Sequence, residues 1–192
     1  MNQTELVVQL RQGDEAAFKK LVDDYQVMVY NTALGIVQHA DDADDITQEV
    51  FIQVFRSVSS FKGDSQFSTW LYRITLGKAL DYEKKAKRKK RFGFVQRLFG
   101  SHDEVDRQQA EFDHPGVKME KKERANELFN ALKQIPEKQR IAFTLHKLEG
   151  QSYQEVAEIM NTTLYAVESL MSRAKANLRT ALKTYYDTNN PE

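Results

Sequence analysis

Apolar side chains recur along this chain at three- and four-residue intervals, and the polar positions between them mark where each helix should start and stop. Phe18, Leu21, Val22, Tyr25, Val29, Thr32, Ala33 and Ile36 form one stripe, with Gly13 as a stop before it and Asp14 as a new cap. Ile46, Val50, Val54 and Val58 form a second, which opens on Asp41, Asp42, Asp44 and Asp45; acidic groups there favour the positive end of a helix dipole. A third segment begins near Phe67 or Ser68 after the loop "FKGDSQ", turns Trp70, Leu71, Ile74 and Tyr82 towards the others, and ends in a basic run. No run of alternating β-branched residues bounded by turn signals occurs, so the pattern predicts an all-α fold.

Periodicity then fails. Residues 93–118 contain three glycines and a proline and read as a flexible linker, with "FVQRLF" as a short amphipathic turn within it. It resumes with Ala125, Leu128, Phe129 and Leu132; Pro136 suits the first turn of a following helix, which Ile141, Leu145 and Leu148 continue and Gly150 ends. Two small helical domains are therefore expected, residues 1–92 and 119–187.

The most specific local signal lies in the second domain. Ser152 and Glu155 have the spacing of a capping box, so a short helix should begin at Tyr153 with Val156, Ile159 and Met160 on its apolar face. Asn161 suits a left-handed turn, Thr163 can cap the next helix, and Ala157 is small where two steeply crossing helices must approach closely. Val167, Leu170, Met171, Ala174 and Leu178 would face inward. The pattern is that of a DNA-binding helix-turn-helix, although an ordinary helical hairpin shares its caps and apolar spacing. The outward residues Tyr165, Glu168, Ser169, Ser172 and Arg173, with Lys175 and Arg179, suit base edges and phosphates. Glu168 either accepts from the exocyclic amine of cytosine or faces solvent just outside the groove.

Composition sharpens this. The chain of 192 residues carries 28 basic and 28 acidic groups, but the neutral sum hides segregation. Residues 1–61 hold 4 basic and 10 acidic groups, whereas residues 62–100 hold 11 and 3, seven of the basic ones between Lys84 and Arg91. A polyanion on one side and a basic partner on the other are implied. Zero cysteine excludes disulfides, thiolate zinc sites and a cysteine nucleophile. The four histidines lack metal spacing, no Gly-rich phosphate loop occurs, and "DDADD" lacks the glycine and distal glutamate of a calcium loop, so neither a cofactor nor enzymatic activity is expected. No stretch approaches the roughly 20 apolar residues of a membrane span, and the N-terminal residues lack the features of a secretion signal; a cytoplasmic protein without membrane insertion is expected.

Three further stretches, taken in order, resemble a known family. "DADDITQEVFIQVFRSVSSF" (Asp42 to Phe61), "FSTWLYRITLGKALDYEKK" (Phe67 to Lys85) and "IPEKQRIAFTLHKLEGQSYQEVAEIMNTTLYAVESLMSRAKANL" (Ile135 to Leu178) are similar to the polymerase-binding helix, promoter-melting helix and promoter-recognition domain of bacterial RNA polymerase sigma factors of the extracytoplasmic-function type. The resemblance implies that Asp45, Gln48, Glu49, Ile52 and Arg56 contact the clamp helices of the largest core subunit, with the flap of the second-largest subunit as a further contact. It implies that Lys62, Asp64 and Ser65, in the loop that captures a flipped base, act on the minus-ten element together with Phe67, Trp70, Arg73, Lys78, Lys84, Lys85 and Arg88. On its apolar stripe Trp70 reads first as a core residue, the commoner place for a tryptophan. It assigns the minus-thirty-five element to Thr163, Tyr165, Glu168, Ser169, Ser172, Arg173 and Lys175, and implies an anti-sigma protein as regulator. Gly77 stands where the family usually has asparagine, and Glu168 and Leu170 stand where a basic pair is common. The alternatives from other functional classes are a stand-alone helix-turn-helix regulator, which would leave the first domain unexplained, and a helical adaptor that binds a sigma factor.

Overall fold

The computed structural model describes residues 3–98 and 119–189, and within them every regular element is helical. The first unit comprises α1 (Gln3–Arg11), α2 (Glu15–Val37), α3 (Ala40–Ser57), a 3-10 turn (Val58–Ser60) and α4 (Phe67–Leu98); the second comprises α5 (Met119–Gln134), α6 (Glu137–Phe143), α7 (Tyr153–Ile159) and α8 (Leu164–Asn189).

The start signals act as their chemistry demands. Asp14 caps α2 by accepting from the Ala17 amide at 2.7 Å, and the αL conformation of Gln38 closes it. At α3 the cap is His39, whose Nδ1 faces the Asp42 amide at 3.5 Å, a residue the acidic run did not suggest. One expectation is corrected: α4 does not yield to a linker at residue 93 but continues to Leu98, so "FVQRLF" lies largely within it. A single glycine weakens a helix by up to about 1 kcal/mol without ending it, and the Lys and Arg residues before it are good helix formers. The rest of the expected linker, residues 99–118, lies outside the described residues.

α2, α3 and α4 pack side by side around Leu21, Val29, Ile46, Val50, Val54, Phe67 and Leu71, all essentially solvent-free. At one end of this core the rings of Phe61, Phe67 and Trp70 lie 5.3–5.4 Å apart between centroids, with Tyr25 at 5.9 Å from Phe67. α1 closes the same core with Leu6, Val7 and Leu10, and Arg11 donates to the Phe61 carbonyl.

The second unit does not stand apart. One apolar cluster runs from the first unit through Ile141, Ala142, Leu145, Val156, Ile159, Val167 and Met171, while Leu132, Ile135, Ala174 and Leu178 form a second cluster between α5 and α8. The joint between the units is a π-helical turn, Thr144–Leu148, that extends α6 and presses on α2. Gly35 is required there, because a Cβ on it would collide with the Thr144 methyl. The Thr144 hydroxyl donates to the Gly35 carbonyl at 3.3 Å. Around this contact Arg140 pairs with Glu83 at 2.5 Å, the Tyr72 hydroxyl donates to Glu149 at 3.3 Å, and the Gln151 amide donates to the Tyr72 oxygen at 3.2 Å.

Burial pushes the Glu149 carboxyl up to about 7 from its ordinary 4.5, with the Tyr72 hydroxyl pulling the other way; burial and Glu149 together raise Tyr72. A carboxyl held high is favoured in the fold as its neutral form. It therefore costs nothing below pH 4.5, costs progressively more as pH climbs, and costs its full amount above about 7. Thermal melts should show stability falling between about pH 5 and pH 8. Glu149→Gln should flatten that fall and gain about 1 kcal/mol at pH 8, the discount reflecting partial solvent screening; a pH profile unchanged by the substitution would contradict this account.

Candidate nucleic-acid and protein interfaces

The amphipathic period of α3 sends Ala43, Ile46, Val50 and Val54 into the core and leaves a stripe outside. Asp45, Gln48, Glu49, Ile52 and Arg56 all lie exposed along it, the spacing of one helix face. Phe55, 59% exposed and edge-on to Phe18 at 5.5 Å, belongs to the same stripe. Sequence reasoning missed it, although it follows Ile52 by three residues. The result is a stripe with acids at its N-terminal side (Asp45, Glu49), an apolar strip at Ile52 and Phe55, and Arg56 at its C-terminal side, the mix of apolar centre and charged edge that protein interfaces use.

On α4 the expected residues separate. Gly63, at φ 83, shapes the preceding loop, where Lys62 and Asp64 are exposed and Ser65 is half-buried. Phe67 is wholly buried among Tyr25, Phe61 and Trp70, which corrects its assignment to the DNA surface: its ring is core, not a platform for a base. Trp70 is half-buried, one part resting on Phe61 and Phe67. Arg73 is exposed and donates from Nη2 to the Glu158 carbonyl at 2.7 Å. Lys78 bridges to Glu49 at 3.2 Å, so a cation expected on DNA is held by an acid expected on protein; such an exposed pair is worth little and is readily exchanged. Lys84, Lys85 and Arg88 are exposed, Lys84 pairing with Asp81 at 3.4 Å, and the neighbouring Lys87 pairs with Glu83 at 3.3 Å. A Cβ added at Gly77 would meet nothing within 4 Å, so packing does not require that glycine.

The helix-turn-helix is built by its caps. Ser152 and Glu155 form a reciprocal capping box at 2.7 and 3.2 Å, which holds the Glu155 carboxyl below its usual range. Asn161 turns the chain at φ 48, and Thr163 caps α8 by accepting from the Ala166 amide at 3.2 Å. Val156 and Ile159 then meet Val167 and Met171 inside, while Leu170 is half-buried. Tyr165 stands out at 80% exposure, Glu168, Ser172, Arg173 and Lys175 are exposed, and Ser169 is half-buried. Arg173 is braced along the helix by Ser169, through the hydroxyl at 3.1 Å and the carbonyl at 3.2 Å. Glu168, Ser172 and Lys175 line an open groove of about 490 Å³ with Tyr153, Ala176 and Arg179. Tyr153 was not among the expected contacts; its position at the first turn after the capping box was the available signal.

Among the described residues no group of three or more His, Asp or Glu side chains could hold a metal ion, and no helix is long and apolar enough to cross a membrane.

Comparison with known proteins accounts for both units. Residues 21–89 match the model of Sigma-70 region 2, and residues 125–178 match that of Sigma-70 region 4. The ECF RNA polymerase sigma-E factor of Haemophilus influenzae is 35% identical over 170 residues, 88% of this chain and 89% of that one. The RNA polymerase sigma-H factor of Pseudomonas aeruginosa is 32% identical over 179 residues, 93% of each. Among solved structures, CnrH in complex with the cytosolic domain of CnrY is 23% identical with a TM-score of 0.67, covering 95% of this chain and 97% of that one. The sigma factor RpoE in complex with the anti-sigma factor NepR, from Bartonella quintana, is 23% identical with a TM-score of 0.59, covering 86% and 96%.

The burial contrast has a direct check. Phe67→Ala should cost about 3–5 kcal/mol in urea unfolding, whereas Tyr165→Ala should stay within about 0.5 kcal/mol. Equal small effects would return Phe67 to the surface.

Proposed function

Since the chain belongs to the sigma-70 family, in its extracytoplasmic-function branch, we propose how its surfaces divide the work of promoter recognition. It is a sigma factor: it binds core RNA polymerase, directs initiation at promoters, and has no catalytic chemistry of its own. A stand-alone helix-turn-helix regulator is not favoured, because that reading leaves the region 2 match without a role.

The observation that supports the division of labour is the separation of the acidic, apolar-centred stripe on α3 from the basic run of α4 and the outward side of α8. In this reading residues 1–92 serve the polymerase and the minus-ten element, and residues 119–187 serve the minus-thirty-five element. Asp45, Gln48, Glu49, Ile52 and Arg56, joined by Phe55, dock on the clamp helices of the largest subunit, where opposite charge steers the approach and the apolar strip holds the contact; the second unit meets the flap of the second-largest. The loop of Lys62, Asp64 and Ser65 takes the flipped base of the minus-ten element, the exposed part of Trp70 stacks beside it, and Arg73, Lys78, Lys84, Lys85 and Arg88 hold phosphates. Thr163, Tyr165, Glu168, Ser169, Ser172, Arg173 and Lys175 meet the minus-thirty-five element, with Tyr153 and Arg179 at the groove edge. Its workplace is the cytoplasm. An anti-sigma protein is its regulator, by analogy with the RpoE–NepR complex.

Added to purified core polymerase, the protein alone should start transcription at a defined site of a cognate promoter; absence of polymerase binding would overturn the reading. Charge reversal at Asp45 and Glu49 should weaken core binding at least tenfold while leaving the helical circular dichroism intact. Replacing Lys84, Lys85, Lys87 and Arg88 by glutamine should make promoter binding less salt-dependent, the log–log slope falling by about 0.9 for each phosphate these side chains neutralise. An unchanged slope would make the run a merely solvated helix end.

A further inference from the structure

α1 lies wholly ahead of the region 2 match, which begins at residue 21, and no interface residue has been placed on it. Its seat is nonetheless specific. Leu6, Val7 and Leu10 are buried in the core of the first unit, and the helix packs on both α2 and the 3-10 turn Val58–Ser60. Val7 and Arg11 stand four residues apart and so share one face of the helix. Burying Val7 therefore turns Arg11 towards the 3-10 turn, where its Nη2 donates to the Phe61 carbonyl. The chain behind it is fixed as well. Gly13, at φ 77, closes α1 with its amide donating to the Leu10 carbonyl at 3.1 Å, and the Asp14 amide donates to the Gln9 carbonyl at 3.1 Å.

The carbonyl that Arg11 holds is where the loop from Lys62 to Gln66 begins. Phe61 is otherwise committed to the core: its ring is buried and its amide donates to the Val58 carbonyl at 3.2 Å. At the far end the Gln66 carbonyl accepts from the Trp70 amide at 3.2 Å, in the first turn of α4. Between these two carbonyls the loop has little to hold it. Lys62, Gly63 and Asp64 are exposed, the side chains of Lys62 and Asp64 make no hydrogen bond or ion pair among the described residues, and the Ser65 hydroxyl reaches only the adjacent Gln66 carbonyl, at 3.4 Å. The path of the loop is thus set by its ends. A backbone that wanders when empty must be reordered when a ligand enters, which lowers affinity. A guanidinium on a carbonyl is a charge-assisted bond, roughly twice as strong as a neutral one.

We propose that Arg11 is a positioning residue for minus-ten recognition: holding the Phe61 carbonyl from α1, it presets the Lys62–Gln66 loop to receive an unpaired base. The proposal rests on the assignment of that loop to the flipped base. Arg11 acts through Phe61 and touches no DNA. In this it differs from the cations of α4, whose loss weakens the grip on phosphates whatever the base; loss of Arg11 weakens the preference for a base in the loop.

Arg11→Met tests this, since it removes the donors and keeps an unbranched apolar stem. In the free protein, backbone order parameters at Gly63 and Asp64 should fall from the rigid range, about 0.85, to below about 0.6, while those of α2 and α3 stay unchanged. The second readout uses holoenzyme assembled with core polymerase and a single-stranded oligonucleotide carrying the minus-ten sequence of a mapped promoter, each nucleotide replaced in turn by an abasic one. At one position the abasic change should weaken wild-type binding about tenfold. Arg11→Met should shrink that penalty about threefold or more with the salt slope unchanged, and Arg11→Lys, which keeps a donor, should restore part of it. Unchanged order parameters would overturn the proposal. So would a general loss of affinity with the penalty intact, which would make Arg11 a phosphate contact. Should Arg11→Met not fold, Arg11→Gln decides by the same two readouts. A wild-type holoenzyme indifferent to every abasic change would instead sink the assignment of the loop to a flipped base, while the order parameters still judge whether Arg11 holds it.

Discussion

The functional face of α4 is positioned by the burial of one ring. Phe67, the first residue of α4, is fully enclosed by Tyr25 from α2, Phe61 from the preceding turn and the indole of Trp70. Burying an aromatic side chain of this size is worth about 2–3 kcal/mol, and edge-to-face neighbours add to that. The ring fixes where α4 begins and its rotation about its own axis. Because a helix advances about 100° per residue, the outward direction of Arg73, Lys78 and the basic run follows from that one anchor. The loop from Lys62 to Gln66 is pinned at both ends by the same cluster.

A second constraint ties the halves. A π-helical turn carries one residue more per turn than an α-helix and so breaks the regular register of α6. It lowers Thr144 onto α2, and only a residue without a side chain fits beneath. Such a joint is shape-specific yet small, with polar contacts around its edge. That combination holds two bodies in a defined orientation without fusing them.

The readability of the chain followed the range of the interactions involved. Caps were legible because their donors and acceptors lie three residues apart: Asp14 on α2, Ser152 with Glu155 on α7, Thr163 on α8. The inward faces of α3 and of the helix-turn-helix were legible for the same reason, and with them most of the exposed stripes. The burial of Phe67 was not, because an aromatic at a helix start is equally consistent with a base-stacking role until its neighbours from α2 are in place. Nor were the partners of Arg73, Glu83 and Arg140, which lie 57 to 85 residues away along the chain. The run of α4 past Gly93 shows the opposite error, a local breaker given more weight than the helix formers before it.

Placing acids on α3 and cations on α4 makes an uncharged protein into an electric dipole, with the Lys78–Glu49 bridge on the line where the two poles meet. In the field of a polyanion a neutral body feels little net pull but a definite torque. The chain would turn its α4 side towards DNA before any base is touched and keep its acidic side pointing away. Orientation would then precede affinity: the molecule would not be trapped by every stretch of genome, yet would arrive at a promoter facing the right way.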